Sequence, residues 1–443
     1  MNSKIFLFAS TLLLAKAALA QEQQLSLSEA LKLAQQQNKQ IQIKSLESKK
    51  AEEAIKEQRS FLLPSVSASA AYHIYAERPV IFLRDQSSAN KVNAVQVGGT
   101  NAANVVLSGN YAILQPAQHS RIRMAQINAL AEKERVNDFA NSVLLEVARG
   151  YYTIQFYKEQ KALLQQSLKR NEHALADSRM LLQQGKGLKT DTLRNFIDVQ
   201  NLKASILSLE NKIEVELMHL KQLTGLKGGT VITLVDKLEE VYTETLFEQK
   251  DSLVTFATDN RPDIKAQRQM IAFNKEQERA IKAEYKPSLH AIAQYQVQTQ
   301  SDKFGLSNND FPRTSFIGLQ LNVPIYSGKR QQYRNSIAHY SKHQAILALA
   351  DLKQTVSVEI HSLLEEMRDA VMQKEIHDKN VEAAQINFNM INERYKHGLS
   401  NRLELSDAEL ILTQAKINRL QAIYGLKTLE VELKRASGLL ASE

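Results

Sequence analysis

Two hydrophobic periodicities alternate along this chain, and the alternation is written twice. From Val136, apolar residues recur at Phe139, Val143, Val147, Tyr151 and Ile154, steps of three and four that form one stripe of a helix. Val356, Ile360, Leu364 and Met367 repeat the stripe in the second half. A period of two interrupts each helical stretch. After Pro64, Val66, Ala68, Ala70, Tyr72 and Ile74 fall on one face, and Ser65, Ser67, Ser69 and His73 on the other. After Pro287, Leu289, Ala291, Ala293, Tyr295 and Val297 oppose Ser288, His290, Gln294, Gln296 and Gln298. Return strands follow, with Val105, Leu107, Tyr111 and Ile113 in the first half and Ile317, Leu319, Leu321, Val323 and Ile325 in the second. Apolar-out, polar-in alternation of this kind is the signature of a membrane barrel strand.

The punctuation is duplicated as well. Proline lacks an N–H and keeps the residue before it out of α geometry, so Pro64 and Pro287 each end a helix. Ala34, Ile41, Glu53 and Pro64 recur as Ala257, Ile264, Glu276 and Pro287, an offset of 223. Further on the offset becomes 213, with Gly185 meeting Gly398, Asp191 meeting Glu404, and Thr224-Gly225 meeting Ser437-Gly438. Residues 117–184 contain no proline and one glycine. They predict a helix of about 100 Å at 1.5 Å per residue.

The pattern predicts a mainly α chain with a small β part and two internal repeats. The first repeat, 21–225, has helices within 26–62, strands at about 64–76 and 104–114, a long helix at 117–184 and a return helix at 189–225. A linking band occupies 226–250. The second repeat, 251–443, has helices within 251–285, strands at about 287–299 and 314–325, a long helix at 329–397 and a return helix at 401–438. Polar loops are expected between the strands, at 86–104 and 301–313.

Composition narrows the class. Lys4, the apolar stretch Ile5–Leu14 and Ala18-Leu19-Ala20 read as an export signal over residues 1–20. That stretch is shorter than the ~20 residues of a spanning helix. An exported chain without spanning helices enters a membrane only as a closed barrel. The chain has 0 Cys, which removes disulfides, thiol catalysis and cysteine-held metals. The net charge of +8 is spread with both signs interspersed, so a nucleic-acid partner is not expected. Four strands per chain are too few to close a barrel, since single chains begin at about 8. Copies of the chain must complete it; three give twelve strands, and two or four also satisfy the edges.

Several short motifs carry a family resemblance. These are Leu62–Ser65 and Tyr285–Ser288 at the proline turns, the strand-to-helix junction Val323–Arg330, and the helical turns Gly185…Asp191 and Tyr395…Gly398…Glu404. In this order and duplicated, they resemble the TolC family of outer-membrane efflux ducts over essentially the whole mature chain. The resemblance implies long antiparallel helical hairpins forming a periplasmic α-barrel, and a trimeric 12-stranded outer-membrane β-barrel. It implies a homotrimer working with a periplasmic adaptor and an inner-membrane pump of RND, ABC or MFS type, in contact with outer-membrane lipid. No cofactor and no catalysis are implied. Other readings of the pattern are a secreted coiled-coil scaffold and a periplasmic adaptor.

The resemblance also assigns roles. Asp191 and Tyr395 take the places of residues that hold the inner aperture shut, and Glu404 and Asp407 those of an acidic selectivity ring. Ser400 stands where relatives often have a latch arginine, which makes Arg402 the candidate substitute. Gly185, Gly187, Gly398 and Leu399 mark the turns expected to dock an adaptor, with Lys186 a departure from the small or apolar residue common there. Each role has an ordinary counterpart. Carboxylates at a helix start complement the helix dipole, and Tyr395 fits as a wedge between helices. His339 and His343 sit four apart with no carboxylate between them, and are read as surface histidines. No phosphate loop or nucleophile elbow occurs. The remaining carboxylates are expected on solvated helix faces.

Overall fold

A computed structural model describes residues 23–84, 92–238, 250–304 and 310–440. The leader expected at 1–20 and positions 239–249 of the linking band lie outside the described residues. Among the described residues no helix is long and apolar enough to cross a membrane.

The elements run in chain order β1 (Gln23–Leu25), α1 (Leu27–Gln37), α2 (Lys39–Ser60), β2 (Ser65–Ile74), β3 (Val80–Arg84), β4 (Val92–Gln96), β5 (Asn101–Leu114), α3 (Pro116–Gln183) and α4 (Lys189–Thr224). Then follow β6 (Ile232–Leu234), α5 (Lys250–Asn260), α6 (Pro262–Ala283), β7 (Ser288–Ser301), β8 (Arg313–Asn322), α7 (Arg330–Lys396) and α8 (Arg402–Ser437). The duplication is visible in length: α3 and α7 have 68 and 67 residues, and α4 and α8 have 36 each.

The chain forms two compact units. Of the described residues, one comprises 23–48, 132–238, 250–266 and 348–440. Its apolar interior consists of two clusters made from equivalent positions of the two repeats. Ala34, Ile41, Val143, Val147, Tyr151, Ile154 and Leu220 form the first. Ala257, Ile264, Val356, Ile360, Leu364, Met367 and Leu433 form the second. Each large aliphatic side chain buried there contributes about 1.5–3 kcal/mol.

A polar splice also occurs in both repeats of this unit. Asn38 divides the 26–62 run into two helices. Its Oδ1 accepts from the Gln40 and Ile41 amides, capping α2, while its Nδ2 donates to the Leu223 carbonyl at 2.7 Å. The equivalent residue, Arg261, starts α6 and donates to the Ala436 carbonyl at 3.0 Å. Both acceptors are last-turn carbonyls, which a helix cannot satisfy internally. Arg261 is 7% exposed and ion-paired to Asp263 and Glu359 at 2.8 and 2.7 Å, the pairing a buried cation needs. Within the 226–250 band, β6 pairs in parallel with β1. The loop that follows brings the Asp236 carboxylate to the Leu27 amide at 2.8 Å and to the Tyr151 hydroxyl at 2.9 Å.

The other unit comprises Lys49–Ala131 and Gln267–Leu347. Its four-stranded sheet has the order β2-β5-β7-β8 and is antiparallel throughout. The register aligns one apolar face, including Val66, Leu107, Tyr295, Ile317 and Leu319, all strongly exposed in the single chain. The opposite face is mixed but more polar: it aligns Ser67, Ser108 and Gln294 with Phe316, then Ser69 and Gln296 across Val106. The side chains of Gln294, Gln296 and Gln298 hydrogen-bond in series at 3.1 Å.

Several boundaries differ from the pattern-based layout. The region read as a polar loop at 86–104 contains β4, which pairs with β3 in a separate hairpin, and β5 begins at Asn101. Short hairpins extending from a sheet are held by backbone pairing, which polarity does not report. β8 ends at Asn322, ahead of Pro324, because proline cannot extend the ladder.

Glycine substitutions should separate the splice from an ordinary helical position. Gly225 has φ +72°, and a Cβ there would lie 2.7 Å from the Gln37 carbonyl oxygen. Gly425 lies inside α8 with nothing within 4 Å. Gly225→Ala is expected to destabilise by about 2 kcal/mol or more, and Gly425→Ala to stabilise by about 0.5–1 kcal/mol. Thermal midpoints of the purified variants in detergent measure both.

Candidate aperture at the helical turns

Each long helix reverses through a glycine. Gly185 and Gly398 have φ +73° and +71°, left-handed values that end a helix with amides turned back onto its last carbonyls. After α3, the Lys186 and Gly187 amides donate to the Leu181 carbonyl at 2.9 and 3.0 Å. After α7, the Leu399 amide donates to the Arg394 carbonyl at 2.8 Å, and Arg394 Nη2 donates to the Leu399 carbonyl at 3.2 Å. Gly187 is needed for space, since a Cβ there would meet Leu181 Cβ at 3.0 Å. Lys396 beside Glu393 holds that carboxyl below the usual carboxylate range.

The return helices start differently. Leu188 caps α4 with no side-chain bond. At α8, Asn401 Oδ1 accepts from the Glu404 amide at 2.9 Å, and Asn401 Nδ2 donates to Glu404 Oε1 at 3.2 Å. Ser400 Oγ donates to the other carboxylate oxygen. Glu404 is therefore part of an N-terminal cap in the single chain, and Asp407 lies exposed one turn on.

Arg402 reaches Asn195, with Nε donating to Asn195 Oδ1 at 3.1 Å. Asn195 is fully buried and donates in turn to the Ala174 carbonyl at 3.3 Å. This chain of bonds ties the start of α8 to α4 and α3. Arg402 Nη2 is buried with no partner among the described residues, a cost of roughly 1–3 kcal/mol. The part-buried Asp191 and Tyr395 are not joined to each other or to Arg402 within one chain.

Two features were not anticipated from the pattern. Leu188, Leu193, Phe196, Ile197 and Leu399 are exposed around the turns, more apolar surface than a solvated tip requires. Glu409, read as one of the solvated helix carboxylates, is 5% exposed. It sits on the α3-facing side of α8, where Arg170 Nε donates to it at 3.0 Å. A carboxylate at heptad spacing carries no mark of burial; the donors at Ser167, Arg170 and Asn171, three and four residues apart on another helix, were the available signal.

Hairpins of this length, duplicated and joined to a four-stranded sheet with one apolar face, define the class of outer-membrane export ducts. The sequence profile of the outer membrane efflux protein family matches residues 30–226 and 253–439. The chain belongs to that family and is an outer-membrane efflux channel. No curated protein matches it in sequence.

Solved structures share the fold at low identity. The outer membrane protein VceC of Vibrio cholerae is 14% identical, with a TM-score of 0.71 over 93% of this chain and 96% of that one. The CmeC outer membrane channel of Campylobacter jejuni is 16% identical, with a TM-score of 0.71 over 93% and 85%. The MtrE outer membrane channel of Neisseria gonorrhoeae, solved in its open state, is 19% identical, with a TM-score of 0.70 over 93% and 89%.

Arg402→Ala should loosen the turns without unfolding the chain. Hydrogen exchange at the amides of 189–195 and 401–405 is expected to quicken roughly tenfold, the cost of one charge-assisted bond. Unaltered exchange would mean that the Asn195 contact contributes nothing.

Proposed function

We propose that three copies of this chain form one passive duct, energised by an inner-membrane pump through a periplasmic adaptor. The observation that carries this reading is the four-stranded sheet with β2 and β8 at its edges and one face apolar. In lipid each unpaired edge amide or carbonyl costs several kcal/mol. Pairing β8 of one copy with β2 of the next satisfies both edges, and three copies make a 12-stranded barrel. Static light scattering of the detergent-purified protein tests it: three chains per particle are expected, and a monomer that never permeabilises a planar bilayer would refute it.

The helical turns form the inner aperture in this reading. Asp191, Tyr395 and Arg402 latch neighbouring turns, and the unpaired Nη2 of Arg402 is a donor available once the turns shift. Glu404 and Asp407, repeated three times, form a carboxylate ring that favours cations. The exposed Leu399 beside Gly398, with Gly185 and Gly187 on the other turn, offers the adaptor its docking surface.

Replacing Glu404 and Asp407 with Ala should lower the cation-to-anion permeability ratio several-fold in planar bilayers; an unchanged ratio would leave Glu404 as a helix cap only. Tyr395→Phe combined with Asp191→Ala should raise single-channel conductance. No rise would leave Tyr395 as an interhelical wedge.

A further inference from the structure

A cleft of about 370 Å³ lies in the helical unit between α3, α4 and α8. Its floor is polar and built. The 95% buried Glu409 receives Ser167 Oγ, Arg170 Nε and Asn171 Nδ2, each at 3.0 Å and all on Oε1. Oε2 stays outside that network. One turn on, Thr413 is 8% exposed and its hydroxyl has no hydrogen-bond partner, although a helical threonine can satisfy itself on the carbonyl four residues back. Asp198 and Asn201 of α4 add a second carboxylate and an amide on the facing side.

The surroundings indicate what such a cleft would take. No lysine or arginine lines it, but Arg170 is ion-paired to Glu409 Oε1 at 3.0 Å, so among the described residues the second carboxylate, Asp198, supplies the uncompensated negative charge of the cleft. Leu164, Leu202 and Ile417 supply apolar walls. The volume lies in the range of small-molecule sites, which pair apolar walls with a few placed polar groups. Among the described residues no group of three or more His, Cys, Asp or Glu is placed to hold a metal ion. A primary ammonium has three N–H donors and suits one uncompensated carboxylate with neighbouring acceptor oxygens and an unspent hydroxyl.

We infer that this cleft binds an amphipathic primary ammonium, its charged head on Asp198 beside the Arg170-paired Glu409 and the Thr413 hydroxyl, and its apolar part against Leu164, Leu202 and Ile417. The inference rests on the cleft within one chain and not on the aperture.

Calorimetric titration of the purified full-length protein in a nonionic detergent tests this, with phenethylammonium as the probe and phenethyl alcohol as its neutral match. Saturable binding of the ammonium alone is expected. Asp198→Asn should weaken it roughly tenfold, the loss of one partly desolvated charge contact, and Thr413→Val several-fold with the fold retained, since that hydroxyl bonds to nothing. Equal binding of the alcohol, displacement of the ammonium by calcium at equal concentration, or indifference to both substitutions would overturn the assignment. Loss of binding on replacing Glu404 and Asp407 with Ala, but not in Asp198→Asn, would place the cation at the turns and also overturn it.

Discussion

Backbone hydrogen bonding in a medium without water governs this protein. An amide or carbonyl facing hydrocarbon has only protein to bond with, and a sheet of four strands has two edges where it cannot. β5 and β7 lie in the middle of the sheet and pair on both sides; β2 and β8 pair on one. The apolar face of those strands is chemically suited to lipid, but no side chain can supply the missing edge. The sheet draws two strands from each repeat and still ends in two open edges. The junction β5–β7 runs the full length of both strands apart from one irregularity near Ala112.

In the helical unit the same accounting is met differently. Helix ends leave carbonyls without partners, and the repeats answer with one side chain each, Asn38 on Leu223 and Arg261 on Ala436. The chemistry has diverged while the geometry has been kept. Asparagine does the work with a neutral amide. Arginine requires two acidic partners, Asp263 and Glu359, and Arg435 adds a further contact to Glu359 at 3.2 Å. Burial and the neighbouring Asp263 also push the Asp138 carboxyl upward, so the second splice is an ionic cluster where the first is a simple cap. The duplicated apolar clusters around them hold α1, α3 and α4, or α5, α7 and α8, to one spacing.

Much of this was legible from residue order. The two stripes, the proline stops at Pro64 and Pro287 and the glycine reversals at Gly185 and Gly398 all act locally, through φ/ψ restrictions and side-chain period, so they are written in neighbouring residues. The β3–β4 hairpin was not, because Val92–Gln96 has no strong alternation and owes its strand geometry to Val80–Arg84. Site assignments were less legible still. Arg402 was assigned to the latch by resemblance alone, and its bond to Asn195 within one chain is a contact that periodicity does not encode. Glu409 looked like its solvated neighbours.

Sequence alone determined the repeat, the order of the long helices and of the four strands of the main sheet, the faces of those strands and the membership implied by the turn motifs. These depend on steric preference and on the spacing of apolar residues, both properties of a short window of chain. Tertiary structure alone decided which polar groups are buried and what they meet: Asn38 with Leu223, Arg261 with Glu359, Glu409 with Arg170. Those partners lie 98 to 239 positions apart. The free energy of burying a charge depends on what surrounds it in space, and no local pattern encodes that.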